Sequence, residues 1–145
     1  MTEPELLSYD KCVELLRGAI VGRVAFNVPE GPRIIPVNYT TVGDAIVFRT
    51  SPYSLLGTHA QGPLAFEIDH IDYADQKGWS VVAVGVGELV EDVPALADEA
   101  TLWNPKPWAG GASRLLYVRL PWTEVTGRRL GGGWTYDNEL PVRRR

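Results

Sequence analysis

Two apolar rhythms divide this chain. Near the start, Tyr9, Cys12, Val13 and Leu16 fall at i, i+3, i+4 and i+7, one stripe of a short helix. Ser8 stands where an N-cap belongs and Gly18 near the end. From Val21 onward the texture is that of strands. "GRVAFNV" (22–28) closes on the turn residues Pro29-Glu30-Gly31-Pro32, and "RIIPVNYTTV" (33–42) follows, predicting a hairpin. Pro36 lies inside the second run and cannot donate to a ladder, so an edge, a bulge or a bend is expected there. Gly43-Asp44 turns the chain into "AIVFRT" (45–50), and "LAFEID" (64–69) is a fourth strand.

The longest β run is "WSVVAVGVGELVE" (79–91). One of its faces is nearly bald at Ala83, Gly85 and Gly87, which permits a sharp barrel bend or the close approach of a flat group. Between the strands, Pro52 and "YSLLGTHA" predict a turn of helix, and Pro94 to Leu102 a second helix opened by proline. "NPKPWAGGAS" (104–113) reads as a loop, and "RLLYVRLPW" with "TEVTGRRL" as one last strand or two, broken at Pro121. The pattern is thus about six closely spaced strands, a few short helices and no βαβ alternation. It predicts a mainly β domain over 1–130, an antiparallel barrel or sandwich, followed by a Gly-rich, then polar, tail over 131–145.

Composition narrows the function. With 45% apolar and 22% charged residues, the 145-residue chain is long enough to bury a real core. A net charge of −4 argues against a nucleic-acid binder. The single cysteine, Cys12, fits a reducing cytoplasm. The sequence shows neither a signal-peptide pattern nor an apolar span of membrane length. His59 and His70 lack partners at metal-ligand spacing. No nucleophile–base signature, P-loop or G-x-G-x-x-G is present, so a triad hydrolase has no support.

Four stretches carry candidate chemistry. Arg49-Thr50-Ser51 ends a core strand with a guanidinium and two hydroxyls, which reads either as a polar strand end or as a phosphate seat. "PVNY" (36–39) reads either as a proline-guarded edge or as a backbone strip that meets a heterocycle. Trp79-Ser80 starts a strand where a pocket wall or a core plug belongs. Arg128-Arg129 is either a solvated pair or an anion contact on a partner chain.

The succession "LSYDKCVELLRGAIVGRVAF", "IIPVNY", "IVFRTS", "AFEID", "GWSVVAVGVGELV" and "PWAGG…VTGRRL" resembles the pyridoxamine 5′-phosphate oxidase-like family of FMN-binding split barrels, over about Leu7 to Leu130. More narrowly it resembles the branch with nitroimidazole-reductase-type and other small flavin oxidoreductases. The resemblance implies a six-stranded antiparallel split β-barrel that acts as a homodimer, with FMN in the groove between two barrels. It implies that Pro36, Val37, Asn38 and Tyr39 run along the isoalloxazine, and that Arg49, Thr50 and Ser51, with Ser54 nearby, hold the phosphate. Trp79 and Ser80 would lie near the cofactor, and Arg128 or Arg129 would reach across the dimer.

One departure stands out. Relatives follow the Thr-Ser step with Gly-Ser-Lys or similar, whereas this chain reads Pro52-Tyr53-Ser54-Leu55-Leu56. Loss of one charge-assisted hydrogen bond costs about 1.5–3 kcal/mol. The expectation is an FMN-dependent oxidoreductase acting on a small molecule. The alternatives are an F420-dependent reductase, whose polyanionic tail would need Arg23 or Arg33 beside Arg49, and a non-catalytic flavin or haem carrier.

Overall fold

The computed structural model describes residues 4–90 and 116–134. The helix expected over 94–102 and the loop over 104–113 lie outside the described residues, as does the tail beyond 134. Two residues of β1 (Glu5–Leu6) precede helix α1 (Tyr9–Gly18). Ser8 caps α1, its hydroxyl accepting from the Lys11 amide at 3.2 Å. The buried face carries Cys12, Val13, Leu15 and Leu16. Tyr9, at the margin of this stripe, is half exposed, and its hydroxyl accepts from Trp122 Nε1 at 2.9 Å.

Six long strands follow, the first two forming the predicted hairpin: β2 (Val21–Val28), β3 (Gly31–Val42), β4 (Ala45–Thr50), β5 (Pro63–Asp72), β6 (Lys77–Val86) and β8 (Leu116–Leu130). Helix α2 (Leu55–His59) sits between β4 and β5, and the two-residue strand β7 (Glu88–Leu89) pairs with β8. Every pairing is antiparallel, and they close a ring: β8–β4–β3–β2–β5–β6 and back to β8. This is a split β-barrel.

The ring closes because two strands change partner. β3 pairs with β2 from Gly31 to Asn38 and with β4 from Tyr39 to Val42. Pro36 falls where β3 has a neighbour on one side only, so its missing N–H costs no ladder bond. β8 pairs with β4 through Pro121 and with β6 from Trp122 onward. The break expected at Pro121 is therefore a transfer of partners within one continuous strand. The run expected to be unbroken over 79–91 instead ends as β6 at Val86, and β7 begins beyond Gly87. The bald face explains this. A Cβ at Gly85 would collide with the Pro121 carbonyl, and one at Gly87 with the Ala60 carbonyl, so backbone packs there directly.

Burial alternates as the pleat requires. Val24 and Phe26, Phe66 and Ile68, Val81 and Ala83, and Val118 and Leu120 point inward with Leu15 and Leu16 of α1. Tyr39 and Phe66 meet edge to face at 4.6 Å between ring centroids.

Candidate functional site

The site begins where β3 parts from β4. The last residue pair of that ladder is Tyr39 opposite Phe48, and both side chains enter the core. Their chain neighbours Asn38 and Arg49 consequently face the barrel's outer surface, on either side of the split. The Arg49 guanidinium lies 5.3 Å from the centroid of the Tyr117 ring, on the neighbouring strand. The Asn38 side-chain amide nitrogen is buried and has no hydrogen-bond partner among the described residues. An unsatisfied buried donor of this kind costs about 1–3 kcal/mol, so it calls for a partner that the described residues do not supply.

Alternation divides the "PVNY" stretch. Pro36 and Asn38 face outward, while Val37 and Tyr39 are buried in the core. The Tyr39 hydroxyl donates to the Leu16 carbonyl of α1 at 2.5 Å. Its ring is a core element, and its backbone N–H donates to the Ile20 carbonyl at 2.9 Å.

The turn after Arg49 has a closed hydroxyl network. Ser54 caps α2: its Oγ accepts from the Gly57 amide at 3.0 Å and donates to the Ser51 carbonyl at 2.7 Å. Since Ser54 has only one hydroxyl proton, the 3.0 Å contact between Thr50 Oγ1 and Ser54 Oγ must be donated by Thr50. Both protons are committed to the fold. Ser51 Oγ, by contrast, accepts from the Tyr53 amide at 3.3 Å and donates to no acceptor among the described residues. Gly57 allows the tight turn, because a Cβ there would strike the Ser51 carbonyl.

On the same outer surface, Pro36 lies opposite Arg23 of β2, and Arg23 lies opposite Glu67 of β5. Arg23 Nη2 donates to both Glu67 Oε1 and Asp69 Oδ2. Burial, together with the hydrogen bond and charge of Asp69, pushes the Glu67 carboxyl above its ordinary range; Arg23 opposes that shift. Arg23 is therefore held by two carboxylates and is not an unengaged cation for a polyanionic tail. Arg33 donates to the Pro32 carbonyl at the hairpin end. Neither widens the basic character around Arg49. The Glu67–Asp69 pair was not singled out in the sequence, although "EID" places two carboxylates at i and i+2, on one face of a strand.

The remaining candidates gather at the β6–β8 end. Trp79 is 3% exposed and packs in the core, tilted against His70 at 6.2 Å. Ser80 and Arg128 face each other in register on the outer surface, where Asp69 also lies opposite Ser80. Arg129 Nε donates to Glu5 at 3.1 Å. Ser80 and Arg128 line an open groove of about 540 Å³, which reaches Asp69. The structure thus places the Asn38–Arg49–Ser51 group at the split and the Ser80–Arg128 group across β2 and β5, on one continuous outer face.

A family profile described as pyridoxamine 5′-phosphate oxidase matches residues 8–129. An uncharacterized protein of Mycobacterium tuberculosis, Rv0080, is 30% identical over 130 residues, covering 86% of this chain and 84% of its own. The structure of an FAD binding protein from Mycobacterium smegmatis is 31% identical, superposes with a TM-score of 0.73, and is matched over 88% of this chain and 98% of its own. An FAD-binding protein from Mesorhizobium loti, at 19% identity and a TM-score of 0.67, covers 88% of this chain and 99% of its own and shares the fold. By the profile match and the sequence likeness together, the chain belongs to the pyridoxamine 5′-phosphate oxidase-like family of split barrels.

Proposed function

We propose that this protein is a flavin-dependent oxidoreductase. It works as a homodimer with the cofactor between two barrels and acts on a small molecule. The observation that carries this reading is the unsatisfied buried amide of Asn38 beside Arg49, at the split of an otherwise closed ring. A heterocycle edge supplies the acceptor that the Asn38 amide lacks, and Pro36, with no N–H to satisfy, forms the flat strip beside it. The described residues offer no nucleophile–base pair at this place, in keeping with chemistry carried by a bound group. A flavin supplies the redox centre. The chain's part is to hold it, orient its ring and exclude water.

The turn at Ser51 favours FAD over the FMN expected from the sequence. A terminal phosphate monoester carries about 1.5–2 negative charges near neutral pH. The segment 52–56 has no lysine, and the hydroxyl protons of Thr50 and Ser54 are committed elsewhere. Arg49 and the Ser51 hydroxyl better suit a pyrophosphate, whose phosphates each carry about one charge. The FAD binding protein from Mycobacterium smegmatis, 31% identical to this chain, supports the same choice.

The outer surface supports pairing of two copies. Ile34, Ala25, Ala65 and Val84 lie side by side across four strands, an apolar row where an isolated barrel would present polar groups. Ile34 is 67% exposed, and the adjoining Arg23 is charge-paired. Equilibrium titration with FAD and with FMN, combined with the molar mass in solution, tests the proposal. A dimer that binds FAD more tightly than FMN is expected; a monomer indifferent to both would overturn it.

A further inference from the structure

The groove at the β6–β8 end has a charge pattern of its own. Its floor is Gly78 and Ser80 of β6, and its apolar walls are Ile71 and Tyr73 on one side and Leu130 on the other. Ile71, Tyr73 and Leu130 are all exposed apolar side chains, at the rim of a concavity whose volume of about 540 Å³ suits a small organic molecule.

Among the described residues, five charged side chains line the groove, and four of them are engaged. Asp69 accepts from Arg23. Asp72 accepts from the Asp75 amide at 3.0 Å, and that backbone hydrogen bond holds its carboxyl below the usual range. Lys77 Nζ lies 4.7 Å from the centroid of the Trp134 ring. Arg129 donates to Glu5. Arg128 remains. It is exposed, stands opposite Ser80, and neither side chain has a hydrogen bond or ion pair among the described residues. A guanidinium and a hydroxyl aligned at the edge of an apolar trough form an anion anchor joined to an apolar seat.

We infer that this groove is a binding site for a small apolar organic anion, with Arg128 and Ser80 holding the carboxylate, sulfonate or phosphate and Ile71 and Leu130 flanking the apolar body. It is continuous with the Pro36–Asn38 strip through Arg23 and Asp69 on the same outer face, which makes such an anion the substrate class. That assignment as substrate rests on the flavin-dependent reading above; the anion contact itself does not.

The test uses the full chain without flavin and two fluorescent probes, anilinonaphthalene sulfonate and uncharged phenylnaphthylamine. Arg128→Gln should weaken the sulfonate about tenfold or more and leave the uncharged probe within about twofold. Leu130→Ala should weaken both probes. Thermal melting confirms that the variants fold. Repeated on FAD-loaded protein, the sulfonate should still bind with the same dependence on Arg128. Two results would overturn the inference: a sulfonate affinity indifferent to Arg128→Gln, or displacement of the sulfonate by FAD, which would make the groove the cofactor's own seat. Because the first titration contains no flavin, its outcome is independent of whether the flavin reading holds.

Discussion

Thr50 Oγ1 lies 3.0 Å from Ser54 Oγ, and the direction of that bond decides what the turn can offer a ligand. Ser54 donates to the Ser51 carbonyl, so Thr50 must donate to Ser54, and of the three hydroxyls only that of Ser51 donates to no acceptor among the described residues. Ser54→Ala should therefore act on stability. It removes the α2 cap and the acceptor for Thr50, at a cost of about 1 kcal/mol, read by urea denaturation. Ser51→Ala should leave stability nearly unchanged and weaken flavin binding severalfold. The reverse pattern would show that Ser54 is the ligand contact.

Tyr39→Phe separates a core tyrosine from a stacking one. The Tyr39 hydroxyl ties β3 to the Leu16 carbonyl of α1, and its ring packs on Phe66. The variant should lose about 1 kcal/mol of stability, since the Leu16 carbonyl loses a buried donor. Flavin affinity, measured by fluorescence quenching, should stay within about twofold. A tenfold loss of affinity would place this hydroxyl at the cofactor.

What was legible in the sequence was local. Helix α1 could be read to its cap, because Ser8 and the stripe from Cys12 to Leu16 depend only on neighbours in the chain. Alternation also marked the long strands without knowledge of partners, but not their limits: the run over 79–91 divides at Gly87, and the stretch read as one strand or two is the single β8. The partners themselves were not legible. That β3 and β8 each pass from one long partner strand to another follows from ring closure, and Pro36 and Pro121 hint at it without saying which strand takes over. At the site, Arg49 and Asn38 were visible as residue types. The commitment of Thr50 and Ser54 was hidden, because it runs through the Ser51 carbonyl. The Arg23–Glu67–Asp69 cluster was hidden too, because register alone brings β2 and β5 together.

Gly87 tests the reading of the bald face as a site of closure. A Cβ there would meet the Ala60 carbonyl and Leu64 Cδ1. Gly87→Ala should destabilise the barrel by about 1–3 kcal/mol through overpacking. An unchanged melting temperature would mean that the backbone approach is slack.

The Glu67 carboxyl gives a pH signature. The folded state binds its proton more tightly than the unfolded chain does, because burial and Asp69 raise its pKa. Stability contributed by this group is therefore present at low pH and falls as pH rises from the ordinary glutamate range through the raised value. Glu67→Gln keeps a hydrogen-bond acceptor for Arg23 and removes the titration. Melting temperatures across the mildly acidic to neutral range should show wild type losing ground to the variant as pH rises. A constant difference between them would contradict the raised Glu67 pKa.

The central claim is that the split beside Asn38 and Arg49 holds a flavin. The most direct test is the visible absorption spectrum of wild-type protein and Arg49→Ala, each mixed with excess FAD and then desalted. The wild type should retain the flavin spectrum, and Arg49→Ala, folded by thermal melting, should bind at least about tenfold more weakly, as expected for loss of a charge-assisted contact. A wild-type protein that emerges colourless, with FMN as with FAD, would contradict the account.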